Sequence, residues 1–275
     1  MIKLEHVVLA SPEQMEFIIE GCRNPLNSWA RSDSGTGCYI TKDDSVINKE
    51  KYPVGSVAAR CETCTWCEPL CYGEPERRSY ILGENDHSLM QRLANAGTDH
   101  RKFMRMMPVY VRITAPLYWW KQFETYKVGT VANSCSTMHK IHEKEFTLED
   151  FSTDKIIDTG EPGYENMYND LTLTLHYDGE KQYYDPHDIF SEILIPALNL
   201  YRKRYLETKD KKYWWQMIQL LPSSYNQRST VMMNYETLTS MYRWRRTHKL
   251  DEWQTFCDWI ETLPYAELIT GGENE

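Results

Sequence analysis

The sequence predicts an α+β fold. Amphipathic segments of helical period dominate the chain, extended stretches are few and scattered, and nothing follows the regular strand–helix alternation that a parallel sheet needs. With 275 residues, 41% of them hydrophobic and 26% charged, the chain can bury a substantial core. No internal repeat is present, so a solenoid or propeller is excluded.

The elements read in order as follows. IKLEHVVL (2–9) is a first strand. Ser11-Pro12-Glu13-Gln14 then opens a helix, with a serine N-cap, a proline in the first turn and Gln14 placed to close a capping box. That helix should run to Arg23 and stop before Asn24-Pro25, because the residue preceding a proline is pushed out of the helical region. Residues 31–60, rich in Gly, Ser and Asp without a sustained period, read as loop or a short hairpin. HSLMQRLANA predicts a helix from Asn85 or Asp86 that ends at Gly97, a C′ glycine.

MPVYVRIT (107–114) alternates as a strand does, and Pro116 opens an aromatic helix, LYWWKQFETY. The run after it, Asn133-Ser134-Cys135-Ser136, fills no core and predicts no regular strand. It reads as a surface loop or as the wall of a pocket for a flat polar ligand. Beyond a polar middle, Asp185-Pro186-His187-Asp188 caps a long helix through YRKRYLET, which Pro196 should kink. KKYWWQMIQLL is a helix closed by Pro222, STVMMNYE is a short extended piece, and LTSMYRWRRTH and DEWQTFCDWIETL are helices. The terminal GGENE should fray.

The net charge of −9 argues against a nucleic-acid polymer or an anionic membrane as partner, since either needs a basic face. A small anion in a local basic pocket remains open. No apolar run approaches the ~20 residues that cross a bilayer. The start, MIKLEHVVLASPEQ, lacks the apolar core of a signal peptide. A cytoplasmic, reducing setting is therefore expected, in which eight cysteines serve as thiols or metal ligands before disulfides.

Four of those cysteines are clustered. Cys61, Cys64, Cys67 and Cys71 form C-x2-C-x2-C-x3-C, a spacing that lets the thiolates converge on one centre. The spacing is that of bacterial ferredoxins, so a [4Fe–4S] cluster is one reading and tetrahedral zinc is the other. Either would staple an insertion at about 55–80. Late in the chain, RWRRTHK (243–249) packs Arg243, Arg245, Arg246, His248 and Lys249 into two turns. Most of these read as a solvated face; one arginine beside Trp244 suits a planar anion.

Three segments together resemble the flavin-dependent thymidylate synthase family. GTDHRKFMRMMPVYVRITAP resembles the family's G-H-x-S-x-x-E-H block and the strand after it. YWWKQFETYKVGTVANSCSTMHKI resembles the block that runs from a glutamine through R-H-R to Ser, Asn-Glu, Ser and Arg-Tyr. LPSSYNQRSTVMMNYETLTSMYRWR is similar to the family's Leu-Pro, asparagine and helical arginine. Order and spacing agree over residues 85–260, and the cysteine segment lies outside the match.

The resemblance implies one thymidylate synthase-like domain over 1–275, helix-rich with a small, mostly antiparallel sheet. It implies a homotetramer that uses FAD, with NADPH and methylenetetrahydrofolate as co-substrates, to pass a one-carbon unit to a pyrimidine deoxynucleotide such as dUMP. Gln122, Ser136 and Arg245 would bind the nucleotide, and Arg245 would also stabilise charge on the uracil during reaction. His100, Lys127, Asn133 and Asn234 would contact the flavin.

The chain departs from the family at several of these places. Lys102, Arg105 and Met106 replace the Ser, Glu and His that follow the first histidine. Thr125-Tyr126-Lys127 occupies R-H-R, Ser134 replaces the glutamate, and Met138-His139 replaces Arg-Tyr. The phosphate-binding arginine before Leu-Pro is replaced by Ile218 or Gln219. Lys102, Arg105, Arg112 and Arg228 are candidate substitutes for the lost charges. A non-catalytic nucleotide-binding protein that kept the fold is the alternative.

Overall fold

The computed structural model describes residues 2–38, 78–160, 172–177 and 179–271. Two compact units are formed. One takes Leu4–Arg112, Tyr126–Ala132 and Thr230–Glu275, and the other takes Met1–Lys3, Ile113–Thr125 and Asn133–Ser229. The strands β1 (Lys3–Leu9), β4 (Pro108–Pro116), β8 (Asn226–Asn234) and β5 (Val131–Ser134) form a four-stranded sheet in that order. Among the described residues no helix is long and apolar enough to cross a membrane.

In the first unit, α1 (Pro12–Arg23) starts on the predicted capping box. Ser11 Oγ accepts from the Gln14 amide at 3.3 Å, and Gln14 Oε1 accepts from the Ser11 amide at 2.8 Å. Pro25 turns the chain into a 3-10 stretch, Asn24–Leu26. Helix α2 (Glu84–Asn95) ends as read, with Gly97 at φ +102°, a conformation that glycine adopts without strain.

A buried ion pair that the sequence reading did not contain joins the two helices. Arg23 Nε donates to Asp86 Oδ1 at 2.7 Å. Asp86 Oδ2 accepts from the Ser32 and Ser34 hydroxyls at 2.7 and 2.6 Å and from the Asp33 and Ser34 amides at 3.1 Å. Five donors therefore surround a carboxylate that is 1% exposed. Burial raises its pKa, but the hydrogen bonds from Ser34, Ser32 and Arg23 outweigh burial and hold the group below its ordinary value.

This hub fixes the chain ahead of β2 (Gly35–Cys38), which pairs antiparallel with β3 (Arg78–Ile81). Gly35 lies opposite Ile81 and Cys38 opposite Arg78. Residues 31–60 read from sequence as loop or a short hairpin; Gly35–Cys38 is extended and paired antiparallel, with a partner, Arg78–Ile81, beyond that stretch. The partner strand lies far along the chain, so no local period announces the pairing. Helices α6 (Tyr235–Arg245), α7 (Asp251–Glu261) and α8 (Glu267–Thr270) complete the unit around buried Leu238, Met241, Trp253, Phe256 and Ile260.

In the second unit, α3 (Leu117–Phe123) is shorter than predicted. It stops at Phe123 with Glu124 as C-cap, and its Trp119 and Phe123 rings stack 5.1 Å apart. Asp185 caps the next helix as expected, its Oδ1 accepting from the Asp188 amide at 2.8 Å. The predicted kink takes the form of a π-helical turn, Ile189–Leu194, directly before α4 (Ile195–Thr208). Pro196 has no amide hydrogen to continue the ladder. Helix α5 (Lys211–Leu220) packs back on α4, burying Leu198 and Met217 with Ile141, Phe146 and Phe151.

Two strand pieces escaped the sequence reading. The ribbon of β6 (Leu173–Tyr177) and β7 (Glu180–Tyr184) closes around Gly179 at φ +85°. The Asp178-Gly179 dipeptide is a hairpin signal within the stretch read only as polar. Strand β5 takes in Asn133 and Ser134 of the run predicted to build no strand, while Cys135 and Ser136 lie outside it. Its four residues are exposed because it lies at the end of the sheet order, where neither face needs apolar side chains.

Candidate functional site

Arg245 lies in the last turn of α6, against two rings, Tyr126 and Trp253, that meet edge-on with centroids 6.1 Å apart. Its Nε donates to the Tyr126 hydroxyl at 2.9 Å. Its guanidinium carbon lies 5.4 Å from the Tyr126 ring centroid and 4.7 Å from that of Trp253. Trp253 is wholly buried and Arg245 half-buried, so the cation sits on an aromatic floor with reduced access to water. The reduced access to water strengthens attraction to an anion placed against it.

His248 lies 6.4 Å from Trp253, and its Nδ1 accepts from the Leu250 amide at 3.1 Å. Burial first, then the charges of Arg245 and Lys249, lowers the His248 pKa and keeps the ring neutral near physiological pH. The neighbouring arginines are differently employed. Arg246 pairs with Asp258 at 2.5 Å and Glu261 at 3.3 Å, and Arg243 lies over the Trp244 ring at 5.5 Å. That agrees with the reading of most of this basic run as a surface face.

The loop Tyr126–Thr130 runs along α6 from Arg245 back to the helix start. Asn234, the N-cap, accepts from the Thr237 amide at 2.9 Å through Oδ1. The Thr237 hydroxyl lies 3.1 Å from Asn234 Oδ1 and 3.3 Å from the Val128 carbonyl. Gly129, at φ +79°, allows this approach: a Cβ there would come within 2.5 Å of Thr237 Oγ1 and 2.9 Å of Asn234 Nδ2. Lys127 is exposed on the same loop. His100 is exposed in the turn after α2, and Arg101 beside it pairs with Glu236 in the first turn of α6 at 2.6 Å.

The structure brings Asn234 and Arg245 onto one helix, α6, with Lys127 exposed on the loop beside it and His100 next to Arg101, which pairs with Glu236 of that helix. The eleven residues of α6 put Asn234 and Arg245 about 16 Å apart, at opposite ends. Asn234 has a folding role in the cap, which leaves its Nδ2 for other contacts.

In the second unit, Gln122 lies half-buried near the end of α3, and its carbonyl accepts from the Thr125 hydroxyl at 2.7 Å. Asn133 is exposed on β5. Ser229 Oγ donates to Ser134 Oγ at 2.7 Å, the Cys135 amide donates to the Arg228 carbonyl at 2.9 Å, and Gln227 Nε2 donates to the Cys135 carbonyl at 2.8 Å. Ser136 Oγ accepts from the His139 amide at 2.9 Å, which leaves its own hydrogen to donate. Trp120 Nε1 donates to the Gln227 carbonyl at 3.0 Å, so α3 and the Asn133–Ser136 turn meet the same residue of β8.

Of the candidate substitute cations, Lys102, Arg105 and Arg228 are exposed and Arg112 is half-buried. Cys61, Cys64, Cys67 and Cys71 lie outside the described residues. The sequence reading missed Trp253 as a neighbour of Arg245. DEWQTF carries no signal beyond helical period, and a tryptophan on such a face reads as core.

No family model matches the sequence, and no curated protein matches it. Solved structures do match. Thymidylate synthase X from Helicobacter pylori, crystallised with FAD and dUMP, gives a TM-score of 0.52 at 13% identity, over 98% of this chain and 95% of that one. A second crystal structure of the flavin-dependent enzyme from that organism, also complexed with FAD and dUMP, gives the same score and identity over 98% and 96%. PolB, a UMP/dUMP methylase from Streptomyces cacaoi bound with 5-Br dUMP, matches at 14% identity and a TM-score of 0.49, over 98% and 93%. At such identities the likeness is one of architecture: the chain has the flavin-dependent thymidylate synthase fold.

Proposed function

We propose that the protein transfers a one-carbon unit from methylenetetrahydrofolate to a pyrimidine deoxynucleotide, dUMP or a close relative. One observation carries the reading: Arg245, the arginine that the resemblance assigns to the pyrimidine, is tethered to the Tyr126 hydroxyl and lies near both the Tyr126 and Trp253 rings at the end of α6. A cation fixed in that way needs little reorganisation to meet negative charge growing on a uracil ring. Its role is positional and electrostatic. FAD, when bound, supplies the redox chemistry. The groups that fit it in the first unit are the exposed Lys127 ammonium and Asn234 Nδ2.

The resemblance adds His100 and Asn133 as flavin contacts and Gln122 and Ser136 as nucleotide contacts, each open to alanine replacement on its own. The resemblance also implies a homotetramer and a single domain over 1–275; separately, the cysteine spacing suggests [4Fe–4S] or zinc at Cys61, Cys64, Cys67 and Cys71, and the absence of a signal-peptide pattern suggests a cytoplasmic setting. A nucleotide-binding protein without turnover is the second reading. The observation favouring it is that Tyr126, where the family carries its central histidine, is engaged with Arg245.

Calorimetry with dUMP tests the assignment. Arg245→Ala should lose dUMP binding with an unchanged melting temperature, and unchanged affinity would overturn the role of Arg245. An absorbance spectrum with metal analysis on fresh protein separates the two readings. A flavin band with turnover supports the enzyme, colourless protein that binds dUMP supports the binder, and a brown preparation with iron supports the cluster.

A further inference from the structure

The chain is acidic, yet its cations are unevenly placed. From Arg202 to Lys212 six basic residues stand against two acids, Glu207 and Asp210. Helix α4 ends at Thr208, Lys209 takes the left-handed conformation at φ +55°, and α5 begins at Lys211. Three lysines sit where helix stability would not put them. A left-handed C-terminal position favours glycine or asparagine, and Lys211 and Lys212 add positive charge to a helix N-terminus.

Each ammonium lies over an aromatic face. Lys209 is 5.7 Å from the Tyr205 centroid, Lys211 is 5.9 and 5.6 Å from those of Trp214 and Trp215, and Lys212 is 4.8 Å from that of Tyr213. Lys212 also pairs with Asp210 at 3.1 Å. Trp214 is anchored, its Nε1 donating to the Met138 carbonyl at 2.9 Å, whereas Trp215 is 41% exposed. Positive charge and ring faces therefore alternate over one exposed tip. A merely solvated turn would explain the exposure of the lysines. It would not explain their unfavourable backbone positions or the open tryptophan beside them.

We propose that the tip of the α4–α5 hairpin binds single-stranded nucleic acid. Lys209, Lys211 and Lys212 would meet successive phosphates while Trp215 stacks on a base. A duplex offers no free base face to that ring, so single strands should be preferred. The negative charge of the rest of the chain would repel the polymer and confine contact to the tip. The proposal stands apart from the nucleotide reading of Arg245.

The test is fluorescence anisotropy of the full chain with a labelled oligothymidylate and with a duplex. With about three phosphates neutralised, affinity for the single strand should fall roughly 20-fold between about 50 and 200 mM salt. Joint replacement of Lys209, Lys211 and Lys212 by glutamate should abolish binding, and Trp215→Ala should weaken it about tenfold. Circular dichroism melts confirm that the variants fold. No binding at low salt, equal binding by the triple variant, or equal affinity for inorganic polyphosphate would each overturn the proposal. So would a triple variant whose sole change is in oligomeric state, which would make the tip a protein contact.

Discussion

Tyr126 is the residue on which the candidate site turns. Its hydroxyl accepts the Arg245 Nε–H, and its ring meets the buried Trp253 edge-on, with centroids 6.1 Å apart, beside the guanidinium. A phenol in place of a cation removes one positive charge and gains a fixed partner for another. Tyr126→Phe should keep the ring and lose the hydrogen bond, costing dUMP affinity by about 0.5–1.5 kcal/mol, roughly two- to tenfold. Calorimetry at fixed salt reads this, and an unchanged constant would show that the hydroxyl does not orient Arg245. The residue scale is also where the sequence was least legible. Tyr126 was visible as a departure from a motif, but its engagement with Arg245 depends on two helices and a loop meeting. Trp253 carried no local mark at all.

At the scale of elements, the loop Tyr126–Thr130 and α6 act together, and Gly129 is the hinge of that association. Its φ of +79° and the 2.5 Å approach to Thr237 Oγ1 leave no room for a side chain. Gly129→Ala should therefore destabilise the protein by about 1–3 kcal/mol and loosen the loop that carries Tyr126 and Lys127. A thermal melt checks the first effect, and weaker dUMP binding by the folded variant checks the second. Elements with strong local signals were readable from sequence. The Ser11–Gln14 box, Gly97 and the Asp185-Pro186 start all lie where the caps put them. Strands β2 and β5 were not readable: one is specified by a distant partner, and the other is an edge without an apolar face.

Over the whole molecule, the Asp86 hub should contribute to acid sensitivity, beside Asp185 and Glu267, whose burial is likewise outweighed by hydrogen bonds that lower their pKa values. The Asp86 pKa is depressed in the fold, so its ionised form stabilises the native state above the unfolded value, near 3.8, and that contribution is lost as pH falls through the folded pKa. A denaturant titration should show stability declining below about pH 4, where unfolded carboxylates take up protons. Asp86→Asn should flatten that decline at a lower overall stability. A slope unchanged by the substitution would assign the acid response elsewhere. The α+β class and the family-like architecture were legible in the chain because cap signals and motif order survive divergence. The buried charge that holds the first unit together was not, since nothing local to Arg23 or Asp86 shows that they meet.

The pairing of Cys38 with Arg78 has a practical corollary. Residues facing one another across an antiparallel ribbon have α-carbons about 4.5–5.5 Å apart. A two-residue Asn-Gly turn can thus span from Cys38 to Arg78 in place of residues 39–77 without stretching either strand. A thermal melt of the shortened protein reads whether the fold needs the removed segment, and metal analysis reads whether any bound iron or zinc depends on Cys61, Cys64, Cys67 and Cys71. Whether the shortened protein still takes up dUMP would then separate the cysteines from the nucleotide chemistry in a single comparison.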